Sequence, residues 1–516
     1  MPNSSRAARE KKIIPFTKLS EMREVLAGKK IVHCHGVFDV IHAGHLAHFE
    51  SARKFGDVLV VTLTSDFHVN KGPGRPYFNS NIRANMVAAL ELVDFVAVSD
   101  FPTAVPSIEA LRPHFYVKGP DYRDKSKDAS GAIYKEELAA EKYGGEMVFT
   151  DDDTFSSSAL INSFFPAWND EQQATIEAIR RAGGVAVVEE ILTQLSTLKI
   201  ALLGEPIVDT YVFCTPEAIS SKSPSISARY LHEEDYAGGS LAIANHLADF
   251  VGSITLMTTH GGEDWFLRLL DEKLDRRVKL EALALAHTPT PRKTRFIADD
   301  KVQRLFELTN IKDDQWHTNS PKDFLQLLRR NTANIDALIV ADFGHGLIED
   351  DILEELAQSK GFVAANVQTN SSNFGFNPFT KHKRFSYLSI DLKEARVAFQ
   401  DRFSASLDLA VNVREKCANL DAGVSMTLGP MGSFYLPPGT KKEIKVPAFT
   451  DVVVDAVGAG DAYFALTSVL IRAGVPDIFV PFLGNVFAGL KTKIIGNKAS
   501  VTRAQLIRAV TFILKT

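Results

Sequence analysis

The sequence predicts an α/β protein made of two successive units, each a largely parallel sheet covered by helices. Three observations lead there. Short apolar runs of strand type (residues 30–34, 199–204, 253–259, 337–342 and 424–428) alternate with stretches of helical spacing, the βα rhythm of sheets buried on both faces. Two strand–loop–helix junctions able to hold an anion lie near opposite ends, around Gly36–His45 and around Asp455–Asp461. Finally, 516 residues exceed what one hydrophobic core usually serves.

The first junction reads G-V-F-D-V-I-H-A-G-H from Gly36 to His45, and a stretch of helical spacing follows it. His42 and His45 are three apart and share one face of the first helical turn. Free backbone N–H groups and the positive end of the helix dipole gather at the same place. A polyphosphate docked there meets donors where charge builds up during displacement at phosphorus. Gly36, Phe38 and Asp39 stand at set offsets ahead of the pair.

From about Lys29 to Ile161 these residues resemble the nucleotidyltransferases that include glycerol-3-phosphate cytidylyltransferase and the adenylyltransferase half of the bacterial heptose kinase/adenylyltransferases. The resemblance extends over the loop Lys71–Pro76, Arg83, the run V-K-G-P-D-Y through Tyr122, and the Ser-rich segment at Ser156–Ser158. It implies a Rossmann-like domain in which His42, His45 and Lys118 are catalytic. Gly36, Phe38, Asp39, Lys71, Arg75, Arg83, Gly119, Asp121, Ser156, Ser157 and Ser158 would bind nucleotide. Two departures stand out: His35 occupies a position where the heptose relatives carry Asn, and no Arg follows the Ser-rich segment. ATP and CTP both remain open as the nucleotidyl donor.

At the second junction a glycine-rich turn runs into an apolar helix, D-A-V-G-A-G-D from Asp455 to Asp461. Gly458 and Gly460 let backbone N–H groups approach an anion closely. Asp461 is placed to take a proton from a hydroxyl attacking a γ-phosphate. From about Lys199 onward the chain resembles ribokinase-like (PfkB) carbohydrate kinases, with the pieces in the family's linear order. That resemblance implies a ribokinase-like α/β domain with a small β lid at Tyr211–Tyr236. Asp209, Gly238, Gly239 and Asp342 would contact the sugar. Thr427, Gly429, Gly432, Gly458, Ala459 and Gly460 would contact ATP, and Glu394 and Asp391 would organise magnesium (Mg2+), partly through water. Ala242 replaces an Asn after the glycine pair, Asp391 replaces an Asn, and the Asn/Ser-rich run Asn366–Asn377 replaces a strand-end D-P-K. The phosphate-handling parts are thus nearly intact while the acceptor side is altered.

These readings divide the chain into a tail and lead-in (1–28), a nucleotidyltransferase domain (29–165), a helical linker (166–198) and a carbohydrate kinase domain (199–516). The transferase precedes the kinase, the reverse of the usual heptose fusion. A net charge of −5 gives no polyanion-binding signal, so nucleic acid is not an expected partner. No run reaches ~18 uncharged apolar residues, so no membrane span is expected. Cys34, Cys214 and Cys417 lie far apart without metal-type spacing, which suits a cytoplasmic protein. The expected substrates are small sugars or sugar phosphates together with ATP, and a homo-oligomer is expected. The expected function is sugar phosphorylation plus nucleotidyl transfer to a sugar phosphate. The alternative is a CTP-dependent cytidylyltransferase beside a kinase-like half that diverges in acceptor or only binds ligand.

Overall fold

The computed structural model describes residues 9–69, 76–123, 132–151, 168–219, 225–285, 288–298, 303–312, 322–370, 373–416, 421–450 and 452–515. Two compact units divide the chain at residues 167 and 168.

Five strands form the sheet of the first unit among its described residues: β1 (Ile31–Gly36), β2 (Val58–Thr64), β3 (Phe95–Ser99), β4 (Phe115–Lys118) and β5 (Glu146–Phe149). Their order is β3-β2-β1-β4-β5 and every pairing is parallel. β2, V-L-V-V-T-L-T, is buried at each position, as a strand covered on both faces must be. Progress through the sheet reverses between β1 and β4, so the crevice beyond their carboxyl ends is a topological switch point. The histidine motif leaves β1 at that point, and Lys118 ends β4 beside it. The lead-in is partly structural: Leu19 and Met22 pack with Ile31, Val58 and Val60, and Ile13 bridges to Val96.

In the second unit the sheet order is β10-β9-β6-β13-β14-β15-β16-β17-β18 among the described residues. The strands are β6 (Lys199–Gly204), β9 (Ser253–His260), β10 (Val278–Ala284), β13 (Ala337–Asp342), β14 (Phe362–Val367), β15 (Tyr387–Asp391), β16 (Gly423–Thr427), β17 (Ser433–Leu436) and β18 (Ile444–Val446). Pairing is parallel from β10 to β16 and antiparallel beyond. The polar stretch expected as a lid belongs to a separate sheet of order β12-β11-β7-β8. It consists of β7 (Pro206–Ile219), β8 (Ile226–Gly239), β11 (Arg292–Ala298) and β12 (Gln303–Asn310).

The segment expected to link the units contributes two helices to the core of the second. Asn169 caps Asp170–Arg181 in a reciprocal capping box with Gln172, and Gly183, at φ 109°, turns the chain into Gly184–Leu195. Ile176, Ile179, Val188, Ile191, Leu192 and Leu195 share one buried cluster with Phe464, Leu506 and Val510. Among the described residues no helix is long and apolar enough to cross a membrane. Leu192→Ala is expected to destabilise the second unit by about 2–5 kcal/mol in denaturant titrations, the range for emptying a buried leucine site. A change below measurement error would place these helices outside the cooperative core.

Candidate active sites

In the first unit the helix Ala43–Arg53 begins at His42, whose Nδ1 accepts the Gly44 N–H at 3.1 Å. With Nδ1 an acceptor, the neutral ring carries its proton on Nε2, which makes that nitrogen a donor. The His45 ring stacks on it at 3.9 Å between centroids. Phe38 supports His45 edge-on at 5.2 Å and contacts Phe49 at 5.0 Å. To do so Phe38 adopts φ 48°, a region costly for a bulky residue, and Gly36 leaves room for its ring. A Cβ at residue 36 would lie 3.0 Å from that ring.

Two residues expected at the nucleotide hold this loop. The Asp39 carboxylate accepts the N–H groups of Tyr77 and Phe78 at 2.8 and 2.9 Å. Arg83 is fully buried. Its guanidinium donates to the carbonyls of Phe78 (2.9 Å), Val37 (2.5 Å) and Thr64 (2.8 Å), and to Asp66 at 2.7 Å. That spends most of the fork on protein oxygens, and Arg83 ties the loop after β1 to β2. Lys118 is buried and pairs with Glu136 at 2.9 Å, its ammonium lying over the rings of Tyr122 and Tyr116. Gly119 follows it as the N-cap of a short turn that includes Asp121. Lys71, Arg75, Ser156, Ser157 and Ser158 lie outside the described residues.

Below the motif, His33 and His35 both meet the Thr62 hydroxyl at 2.7 Å, and His35 also meets Thr64 at 3.2 Å. Burial, with the Lys118 charge adding to it, pulls His35 down to about 3, so it stays neutral near pH 7.

In the second unit a cavity of about 550 Å³ opens at the carboxyl edge of the sheet. Asp209, Gly239, Asp391, Glu394, Thr427, Gly429, Gly458, Gly460 and Asp461 are on its wall, so most residues expected there are brought together. The helix Ala459–Ala473 starts from Gly458, at φ 75°, without a side-chain cap, so its first amides are not taken by a side chain at the cap. Asp461 is buried, which raises its pKa to about 6; the Gln368 amide, donating at 2.5 Å, and Lys491 and Lys293 oppose that rise. Asp391 and Glu394 form a capping box in which each carboxylate accepts the other's N–H, at 2.6 and 3.0 Å. Glu394 also accepts the Thr369 N–H at 3.1 Å. Burial, and then the Asp391 charge, lift the Glu394 carboxyl well above its usual range.

Asp209 pairs with Arg295 and packs so closely on Gly238 that a Cβ there would collide with its carboxylate. Asp342, expected to touch sugar, does not line the cavity. It is buried, and its carboxylate is taken by His382 (2.7 Å), Lys381 (3.0 Å) and Asn377 (3.1 Å), partners that hold its pKa low against the effect of burial. Gly432, at φ 90°, has the Val446 carbonyl where a Cβ would sit and serves the turn between β16 and β17. Ala242 is buried in the helix Ser240–Leu247 and is not on the cavity wall. The Asn-rich run braces the loop after β13: Asn370 and Asn373 donate to the Phe343 carbonyl at 2.9 and 2.8 Å. Ser371 and Ser372 of that run lie outside the described residues.

Lys293, Arg295 and Lys491, all at or near the cavity, were not expected from the sequence. Lys293 and Arg295 alternate on β11, and the K-x-R spacing could have signalled that both face one side. Lys491 alone ends an otherwise uncharged apolar helix, which is also a readable signal. Among the described residues no three His, Cys, Asp or Glu side chains gather as metal ligands.

Residues 33–163 match the cytidylyltransferase-like family. Over 124 residues the chain is 44% identical to the bifunctional protein HldE of Campylobacter fetus, covering 24% of this chain and 27% of that protein. It is 37% identical over 151 residues to HldE of Geobacter metallireducens, covering 29% of each. The chain thus spans under a third of the length of these curated relatives. The fold of the second unit is that of ribokinase-type structures. An assigned ribokinase from Agrobacterium tumefaciens superposes with a TM-score of 0.51 at 14% identity, covering 62% of this chain and all of that one. A point mutant of phosphofructokinase-2 from Escherichia coli gives 0.50 at 13% identity, covering 61% of this chain and 99% of that one.

Arg83→Leu is expected to destabilise the first unit by more than about 3 kcal/mol, because three carbonyls and Asp66 lose a buried partner. The check is a denaturant melt followed by a probe in that unit. An unchanged midpoint with weakened nucleotide binding would return Arg83 to the nucleotide.

Proposed function

We propose that the chain is a two-reaction enzyme: the second unit phosphorylates a sugar phosphate with ATP, and the first transfers a nucleotidyl group to a sugar phosphate with release of pyrophosphate. One observation carries the reading: Asp461, a base with its pKa raised to about 6, stands on one cavity wall with an open helix N-terminus and the cationic pair Lys293 and Arg295. An aspartate near 6 is still ionised at pH 7 yet more basic than an exposed one, which suits proton removal from a hydroxyl. In the kinase step Asp461 takes the acceptor's proton as its oxygen attacks the γ-phosphorus of ATP, and ADP leaves. The amides after Gly458 bind the transferred phosphoryl, and positioning supplies much of the rate.

Magnesium fits the donor set. Glu394 and Asp391 bring two mutually repelling carboxylates to the cavity, oxygen donors of the kind that would hold magnesium together with substrate phosphates. Bound there, it would neutralise phosphate charge. Lys293, beside the Asp209–Arg295 ion pair on the cavity wall, favours an acceptor that already carries a phosphate.

In the transferase step an oxygen of a sugar phosphate attacks the α-phosphorus and pyrophosphate departs. The Nε2 donor of His42, its stacked partner His45, and Lys118 would stabilise the developing charge. The sequence likeness to the HldE proteins favours ATP as donor and a nucleotide-activated, heptose-like sugar as product. The cytidylyltransferase-like match supports CTP as the second reading.

With phosphorylated sugars as acceptors, ADP release should show a one-proton acid limb centred near pH 6, falling as pH drops through that value because Asp461 must be ionised. Asp461→Asn should lower the rate by roughly 100-fold or more. A flat profile, or full turnover in that variant, would remove the kinase assignment. Separately, pyrophosphate release should fall by roughly 100-fold in His45→Ala. Chromatography of products made from ATP and from CTP identifies the donor. Undiminished release in that variant would remove the transferase assignment.

A further inference from the structure

Lys491 is the last residue of the helix Phe479–Lys491, and its side chain is fully buried. Its ammonium donates to the carbonyls of Val457 at 2.9 Å and Gly496 at 2.6 Å. The N–H groups of the same two residues go to Asp455: Val457 to Oδ1 at 3.1 Å, Gly496 to Oδ2 at 2.8 Å. Each of these residues is therefore gripped on one side by a carboxylate and on the other by an ammonium. Val457 leads directly into Gly458, the left-handed residue from which the helix bearing Asp461 starts. A Cβ on Gly458 would sit 3.4 Å from Lys491 Cε and 2.9 Å from Asn497 Oδ1, so the turn rests directly on this cluster. Asp455 is further held by the Tyr211 hydroxyl at 2.6 Å and by Arg304, both from the lid sheet.

An ammonium is buried only where oxygens replace its water, and here the carbonyls of Val457 and Gly496 supply them. Burial pulls Lys491 towards neutrality, while Asp455, Asp461 and Asp209 favour its charged form. We propose that Lys491 is a positioning residue of the phosphotransfer site: its ammonium is a tethered cation that fixes the Val457–Gly460 turn by filling the place between those carbonyls, so that no free monovalent ion is needed there. The proposal rests on the kinase reading of the second unit. It goes beyond that reading by assigning the turn's geometry to a charge on another helix.

The test uses the full chain, wild type and Lys491→Ala, at constant ionic strength in tetramethylammonium, potassium or ammonium chloride. Acceptor-dependent ADP release and thermal midpoint are measured in each salt. The wild type should turn over at the same rate in all three salts, within about twofold. Lys491→Ala should be about 100-fold slower in tetramethylammonium, with the loss in kcat rather than in KM for ATP, and should regain roughly tenfold in ammonium. Its melting temperature should rise in ammonium or potassium but not in tetramethylammonium. Full activity of the variant in tetramethylammonium would overturn the proposal. So would a folded variant whose rate and melting temperature both ignore the small cations. If the variant does not fold, the wild type decides: strong stimulation by potassium means that the cage still takes a free ion, and the proposal fails. If the wild type turns over no acceptor, the kinase reading falls, and the salt dependence of the variant's melting temperature still decides the role of Lys491.

Discussion

The first amides of a helix have no acceptor within it, and in a parallel α/β sheet they collect at the carboxyl edge of the strands. Both candidate centres are built on that edge, but they treat the free donors differently. In the first unit His42 takes the Gly44 amide for itself, which fixes the ring and turns Nε2 into the donor. In the second unit no side chain caps Gly458; the Ala459 N–H turns back to the Ala456 carbonyl at 3.3 Å, and the amides after it have no side-chain cap. Side chains do in one unit what backbone does in the other. That difference explains why the first depends on stacked rings and a strained Phe38, while the second depends on Gly458, whose positive φ and closeness to Asn497 leave no room for a side chain.

Charge balance then sets what the second cavity can do. Asp209, Asp391, Glu394 and Asp461 all reach it, and burial pushes the Glu394 and Asp461 carboxyls upward. Arg295 satisfies Asp209 directly, whereas Asp461 receives only an amide from Gln368 and the more distant fields of Lys491 and Lys293. The result is graded: one carboxylate is locked in an ion pair, one is poised near 6, and Glu394 is lifted strongly by burial and by Asp391. A graded set of this kind gives a proton acceptor and a cation-seeking group within one cavity.

Much of this was legible in the sequence, and for a definite reason. The βα rhythm and the two glycine- or histidine-bearing junctions follow from local periodicity and local donors, the lid stretch from the resemblance to carbohydrate kinases, and the structure forms a separate sheet at that stretch. What could not be read was the pairing of distant residues. Asp342 and Arg83 sit at strand and helix ends that suggest ligand contacts, yet Lys381, His382 and the carbonyls of Val37 and Thr64 claim them. Gln368 lies in a run whose composition suggests only a solvated turn, yet its amide meets Asp461 across 93 residues of chain.

The contrast between Arg83 and Lys293 shows what separates a charge that builds a centre from one that works in it. Both are buried cations in β-rich surroundings. Arg83 has carbonyl and carboxylate partners within hydrogen-bond reach for most of its donors, and removing it would leave those groups stranded. Lys293 is on a cavity wall, where burial lowers its pKa and only the fields of Asp209, Glu307 and Asp461 offset the loss. A cation so placed gains most from an anion that enters from outside. On the proposed kinase reading, an acceptor bearing its own phosphate would supply that anion.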